Sequence, residues 1–110
     1  MNNINHLKRE THFLRLISEI FQENFSDKFG VTVSWVKLTN DKSHLYIYLV
    51  FDQDEEQNLK YIQNAGKFIR LKLGNIAVGF KVPQLHFEID PVTKRVESID
   101  QILEKIHHEN

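Results

Sequence analysis

The apolar residues of the first helical-looking stretch recur every three to four positions, at Leu7, Leu14, Ile17, Phe21 and Phe25, with Phe13, Leu16 and Ile20 widening the stripe. Lys8, Arg9, Glu10, Arg15, Glu19 and Glu23 fill the gaps, so the spacing predicts an amphipathic helix from about Ile4 to Phe25. Ser26 to Gly30 ends it. The period then falls to two. Val31 to Thr39 is β-branched and alternates until Val36 follows Trp35 directly, which predicts a strand with a bulge at that pair. Asn40 to Ser43 has turn composition, and His44 to Phe51 sets Leu45, Ile47, Leu49 and Phe51 on one face. An antiparallel hairpin is expected.

Asp52 stands three residues before Glu55, the spacing of a capping box, and Asp54, Glu55 and Glu56 follow where a helix dipole favours negative charge. A second helix is therefore expected to open at Asp52. Its stripe of Leu59, Ile62, Ile69 and Leu73 continues through Ala65-Gly66, which predicts a kink between two abutting helices rather than a loop. Gly74-Asn75 is the expected stop, and Ile76 to Val82 is expected to be irregular, with Val82 held out of helix by Pro83. Leu85 to Asp90 alternates and predicts a third strand, Pro83 lying at its mouth, and Asp90-Pro91 is a turn. Ser98 and Gln101 form a second capping box before Ile99, Ile102, Leu103 and Ile106, so a short helix closes the chain ahead of a frayed tail, residues 107–110. The predicted order is α-β-β-α-(kink)-α-β-α, an α+β fold with a three-stranded sheet packed on helices.

Composition fits that reading. The chain has 110 residues, 41% of them apolar and twelve of them aromatic (eight Phe, three Tyr, one Trp), enough for a single domain spanning 1–110 with an ordered core over about 4–106. The absence of Cys excludes disulfides, thiolate zinc sites and a cysteine nucleophile. Neither a signal-peptide run at the start nor a long apolar stretch elsewhere occurs, so a cytoplasmic protein with no membrane role is expected.

The net charge of −1 says little, but its distribution is uneven. Residues 59–95 hold seven basic side chains (Lys60, Lys67, Arg70, Lys72, Lys81, Lys94, Arg95) against Glu88 and Asp90, for +5, leaving −6 elsewhere. That layout fits a protein that meets phosphates over part of its surface, a plain solvated face being the alternative. His86 alternates with Leu85 and Phe87 and so faces away from the core, either as a surface histidine or as a phosphate or base contact. Trp35, Tyr46 and Tyr48 are read as core residues of a hairpin backed by helices, a base-stacking platform being the alternative. His107-His108 near Glu104 is the densest histidine cluster, yet neighbours on a helix point about 100° apart, and no metal or cofactor is expected. No nucleophile elbow, Walker loop, zinc-protease or dinucleotide motif occurs, and capping accounts for the acidic run 52–56, so no enzymatic activity is expected.

The element order matches a type II K-homology (KH) domain, although no two of Gly30, Gly66, Gly74 and Gly79 have the spacing of its Gly-x-x-Gly clamp. Val31-Thr32-Val33, the Asp41 turn, Ala65 before Phe68-Ile69-Arg70, Leu73-Gly74 and Val82-Pro83-Gln84-Leu85-His86-Phe87 together resemble bacterial ribosome-binding factor A over roughly residues 6–106. The resemblance implies a KH-like fold that binds the small (30S) ribosomal subunit and 16S rRNA, and a monomer is expected. It further implies assistance in late 30S maturation, including 5′-end processing of 16S rRNA, and support of growth in the cold. That family bends its helix pair at Ala-x-Gly, whereas here Gly66 stands at the x and Lys67 at the glycine, so a kink at Ala65-Gly66 is expected. In this reading Lys67, Arg70, Lys72 and Lys81 neutralise phosphates and His86 approaches a sugar or base. The competing reading is a protein-interaction module that docks through its sheet edge or its acidic C-terminal helix.

Overall fold

In a computed structural model, which describes residues 2–25 and 30–91, the chain runs α1 (Asn2–Phe25), β1 (Thr32–Leu38), β2 (His44–Val50), α2 (Glu55–Asn64), α3 (Gly66–Ile76) and β3 (Gln84–Ile89). The helix expected over 98–106, the tail 107–110 and the helix-ending stretch 26–29 lie outside the described residues. The sheet order is β1-β2-β3. β1 and β2 form the antiparallel hairpin, while β2 and β3 run parallel, a pairing that needs a long crossover, supplied here by α2 and α3.

Helices α1, α2 and α3 share a core with the sheet. Leu45, Ile47 and Leu49 of β2 are fully buried with Phe87 of β3 beneath Phe13 and Ile17 of α1, Ile62 of α2, and Ile69 and Leu73 of α3. These are the positions that the apolar periodicities marked. The opposite face carries two cross-strand rows, Trp35–Tyr48–Glu88 and Lys37–Tyr46–His86. Trp35 is 44% exposed and the two tyrosines are half-buried, so the expectation that these aromatics fill the core is wrong. Their strand phase, opposite to Leu45 and Ile47, turns them outward.

The bulge lies one step earlier than expected, between Val33 and Trp35. Val33 and Val36 are three residues apart and would face opposite sides of a regular strand. Ser34 is the extra residue that lets both reach the core, and its hydroxyl donates to the Tyr48 carbonyl at 3.2 Å. Helix α1 closes the far end of β1's free edge: the Leu38 N–H donates to Glu10 Oε2 at 2.8 Å, and His6 Nε2 lies 2.9 Å from the Leu38 carbonyl. An edge strand's unpaired groups are thereby satisfied from within the chain.

Helix α2 does not open with the expected capping box. Its N-cap is Asp54, in the left-handed region (φ 50°, ψ 47°) and without a side-chain cap bond. The Asp52 carboxylate lies instead against Gly30, whose own φ of 58° suits glycine and whose missing Cβ leaves room for it. At the other end α3 overruns Gly74-Asn75 to Ile76 and is capped by the Ala77 N–H on the Leu73 carbonyl. Buried Ala77 docks the extra turn against the core, a tertiary gain that outweighs the weak propensity of Gly and Asn.

Candidate nucleic-acid interface

The helix pair separates at Ala65, which has φ −87° and ψ 7°. Its N–H is shared between the carbonyls of Tyr61 (3.1 Å) and Ile62 (3.0 Å), and its own carbonyl accepts from Ile69 N–H at 3.0 Å. One residue off helical ψ therefore bends the axis while the hydrogen-bond ladder continues on both sides. Gly66 follows as the first residue of α3, and its φ is not in the left-handed region. A Cβ there would sit 3.6 Å from Phe87 Cε2, in ordinary contact. The glycine is thus not required by backbone strain. Its effect is to keep the floor of a groove low, between the α2–α3 junction and β3.

That groove gathers Lys67, Arg70 and His86 together with Gln63 and Glu88. Lys67 and Arg70 are both exposed. The Arg70 guanidinium reaches across to the irregular approach to β3, Nη2 donating to the Val82 carbonyl at 3.1 Å and Nε to the Pro83 carbonyl at 3.4 Å. Its partners are backbone carbonyls rather than an acid, so the fork fastens the start of β3 while the charge stays in the groove and donors remain for a ligand. Gln63 Nε2 donates to the Phe87 carbonyl at 3.2 Å, fixing α2 against the β3 edge.

His86 is held on the outer face of the sheet. Its ring stacks on Tyr46 (centroids 4.7 Å apart, planes 18° apart), and its Nε2 lies 2.9 Å from His44 Nδ1. A bond between two imidazole nitrogens needs one protonated and one bare, so in this geometry at most one ring of the pair is a cation. Burial, and then the Glu88 carboxylate, raise the Tyr48 phenol above its usual 10, so it remains a neutral hydrogen-bonding group beside exposed Trp35.

The remaining expected contacts divide. Lys81 is exposed and faces a second crevice that also includes Arg70. Lys72 lines neither depression and lies with its ammonium 5.5 Å from the Phe68 ring on the solvent side of α3. Two cations were missed by reading charge in a window from 59 to 95: Arg9 on α1 and Lys42 in the hairpin turn, both beside Lys81. No local pattern marks them, because their juxtaposition is created only when α1 and the turn meet the same end of the sheet.

The molecule is thus a small α+β protein with a cationic groove set against an edge strand. The family model described as Ribosome-binding factor A matches residues 5–103, and the chain belongs to that family. Ribosome-binding factor A of Mycoplasmopsis pulmonis is 37% identical over 111 residues, spanning 99% of each chain. The fold is similar to the crystal structure of ribosome-binding factor A from Thermus thermophilus, with a TM-score of 0.70, 24% identity and coverage of 76% of this chain and 93% of that one. It is also similar to a homology model of Thermus thermophilus ribosome-binding factor A fitted into the cryo-EM map of its complex with the 30S subunit, with a TM-score of 0.64, 25% identity and coverage of 73% and 89%.

Proposed function

We propose that this chain binds the 30S subunit through 16S rRNA, using the groove between the α2–α3 junction and β3. As a cytoplasmic, non-catalytic monomer with a KH-like fold, it assists late 30S maturation, including 5′-end processing of 16S rRNA, and supports growth in the cold. The observation that carries the reading is the meeting of Lys67 and Arg70 of α3 on one groove whose other wall is the β3 edge around His86. The 30S complex of the Thermus thermophilus relative supports the choice of partner. Cations set in a concave surface attract a phosphate backbone, and a low glycine floor lets that backbone approach closely.

Sedimentation of tagged protein with immature and mature small subunits tests the proposal, and salt titration with naked small-subunit rRNA tests its chemistry. Co-sedimentation that favours immature subunits, with RNA affinity falling linearly in log salt, is expected. Binding to subunits with no affinity for naked rRNA would instead favour docking through protein. The sheet edge is a poor candidate for such docking near Leu38, where Glu10 and His6 already occupy it.

A further inference from the structure

On the far side of Arg70 from the groove lies a second crevice, at the end of the sheet. Arg9 from α1, Lys42 from the hairpin turn, Arg70 from α3 and Lys81 from the α3–β3 loop all border it, with Phe13 and Pro83 also lining it. Four cations thus converge from four parts of the chain. Among the described residues Arg9, Lys42 and Lys81 make no ion pair, so none of the three is neutralised at contact distance within the fold. Arg9 has its guanidinium carbon over the Phe80 ring at 5.1 Å, a cation–π contact that uses none of its hydrogen-bond donors.

The one acid among the lining residues, Asp41, has one of its two carboxylate oxygens engaged within the turn. Its Oδ1 accepts from the Thr39 hydroxyl (2.7 Å), the Ser43 hydroxyl (2.7 Å) and the Ser43 N–H (3.1 Å). These donors keep it anionic and direct it into the turn, and Lys42 is set beside it at φ 64°. Four positive charges against one leave the crevice strongly cationic. Arg70 and Gln84 line both crevice and groove, so the two depressions form one track.

We propose that this crevice is a second phosphate-binding subsite that takes an RNA backbone phosphate next to those held in the groove, extending the RNA footprint from α3 onto α1 and the hairpin turn. The inference rests on the RNA-binding reading above and adds Arg9 and Lys42 to it. A continuous cationic track follows a nucleic-acid backbone without reading its sequence, so the contribution is expected to be uniform across RNA sequences.

The test is the salt dependence of binding to naked small-subunit rRNA by the full chain and by Arg9→Gln, Lys42→Gly and the double variant, each checked by thermal melting. Lys42→Gly removes the charge at a position whose φ glycine adopts freely, so folding is preserved even if loss of the Arg9–Phe80 contact loosens the loop. Each substitution is expected to lower the log K versus log salt slope by about 0.7, and the pair by about 1.4. Lys8→Gln, next to Arg9 but outside the crevice, is expected to leave it unchanged. A wild-type chain with no salt-dependent RNA binding would overturn the RNA-binding reading itself. Wild-type binding with an unchanged slope in folded Lys42→Gly and the double variant would overturn only the crevice. Loss of inorganic pyrophosphate binding in those variants at unchanged RNA slope would likewise overturn it, marking a small-anion site instead.

Discussion

Glu10 sits on α1 with one carboxylate oxygen on the Leu38 N–H and 3.5 Å from His6 Nε2. Removing it strands a part-buried backbone donor, so Glu10→Ala is expected to cost about 1–2 kcal/mol, read in a urea melt; a loss under a few tenths would show that water replaces the carboxylate. Asp41 offers a test by pH. The Thr39 hydroxyl, and then the Ser43 hydroxyl and N–H, hold its carboxyl at about 2 instead of 3.8. A depressed folded-state pKa means that the turn's contribution is complete above 3.8 and is lost as pH falls through about 2. The Ser43 amide and the Asp41 side-chain carbon are expected to titrate together by NMR with that low midpoint, and a midpoint near 3.8 would remove the hydrogen-bonded cluster.

Among the elements, the helix pair makes the sharpest predictions because its two sides have different tasks. Ile69 is fully buried, and Ile69→Ala is expected to cost on the order of 2–5 kcal/mol; a melt that hardly moves would place the stripe at the surface. Gly66 faces the groove. Gly66→Ala is expected to leave stability within about 1 kcal/mol of wild type, since the added Cβ meets Phe87 at ordinary contact and alanine is the better helix former. RNA affinity is nevertheless expected to fall, because the methyl raises the groove floor. Unchanged affinity in that variant would mean that the ligand backbone does not approach the junction.

Over the whole molecule, Arg70 and Lys67 part company despite lying on the same side of α3. Lys67→Ala is expected to leave stability within about 0.5 kcal/mol and to flatten the salt slope by about 0.7. Arg70→Ala is expected to flatten the slope and also to lower stability by about 1 kcal/mol, as the carbonyls of Val82 and Pro83 lose their charged donor. Paired melts and salt titrations separate the two outcomes. An Arg70→Ala chain as stable as Lys67→Ala would show that the start of β3 holds itself in place.

Periodicity and local chemistry carried everything that could be read from the chain alone. The helix stripe from Leu7 to Phe25, the alternation of β2 and the apolar phase of Ile62, Ile69 and Leu73 each depend only on neighbours a few residues away, and these positions are buried apart from Leu7, which is 53% exposed, and half-buried Leu14. The segments Phe68-Ile69-Arg70 and Pro83 to Phe87 were legible for the same reason, as local words in fixed order. Contacts between distant elements settled the rest. Whether Asp52 caps α2 depended on Gly30, more than twenty residues away, and the end of α3 depended on where Ala77 could be buried. The parallel pairing of β3, the outward turn of Trp35, Tyr46 and Tyr48, and the meeting of Arg9 and Lys42 with Lys81 all depend on contacts between elements far apart in the chain. Hydrophobic periodicity records which face of an element is buried, but it does not record which other element lies against that face, and the cationic crevice exists only in that second kind of information.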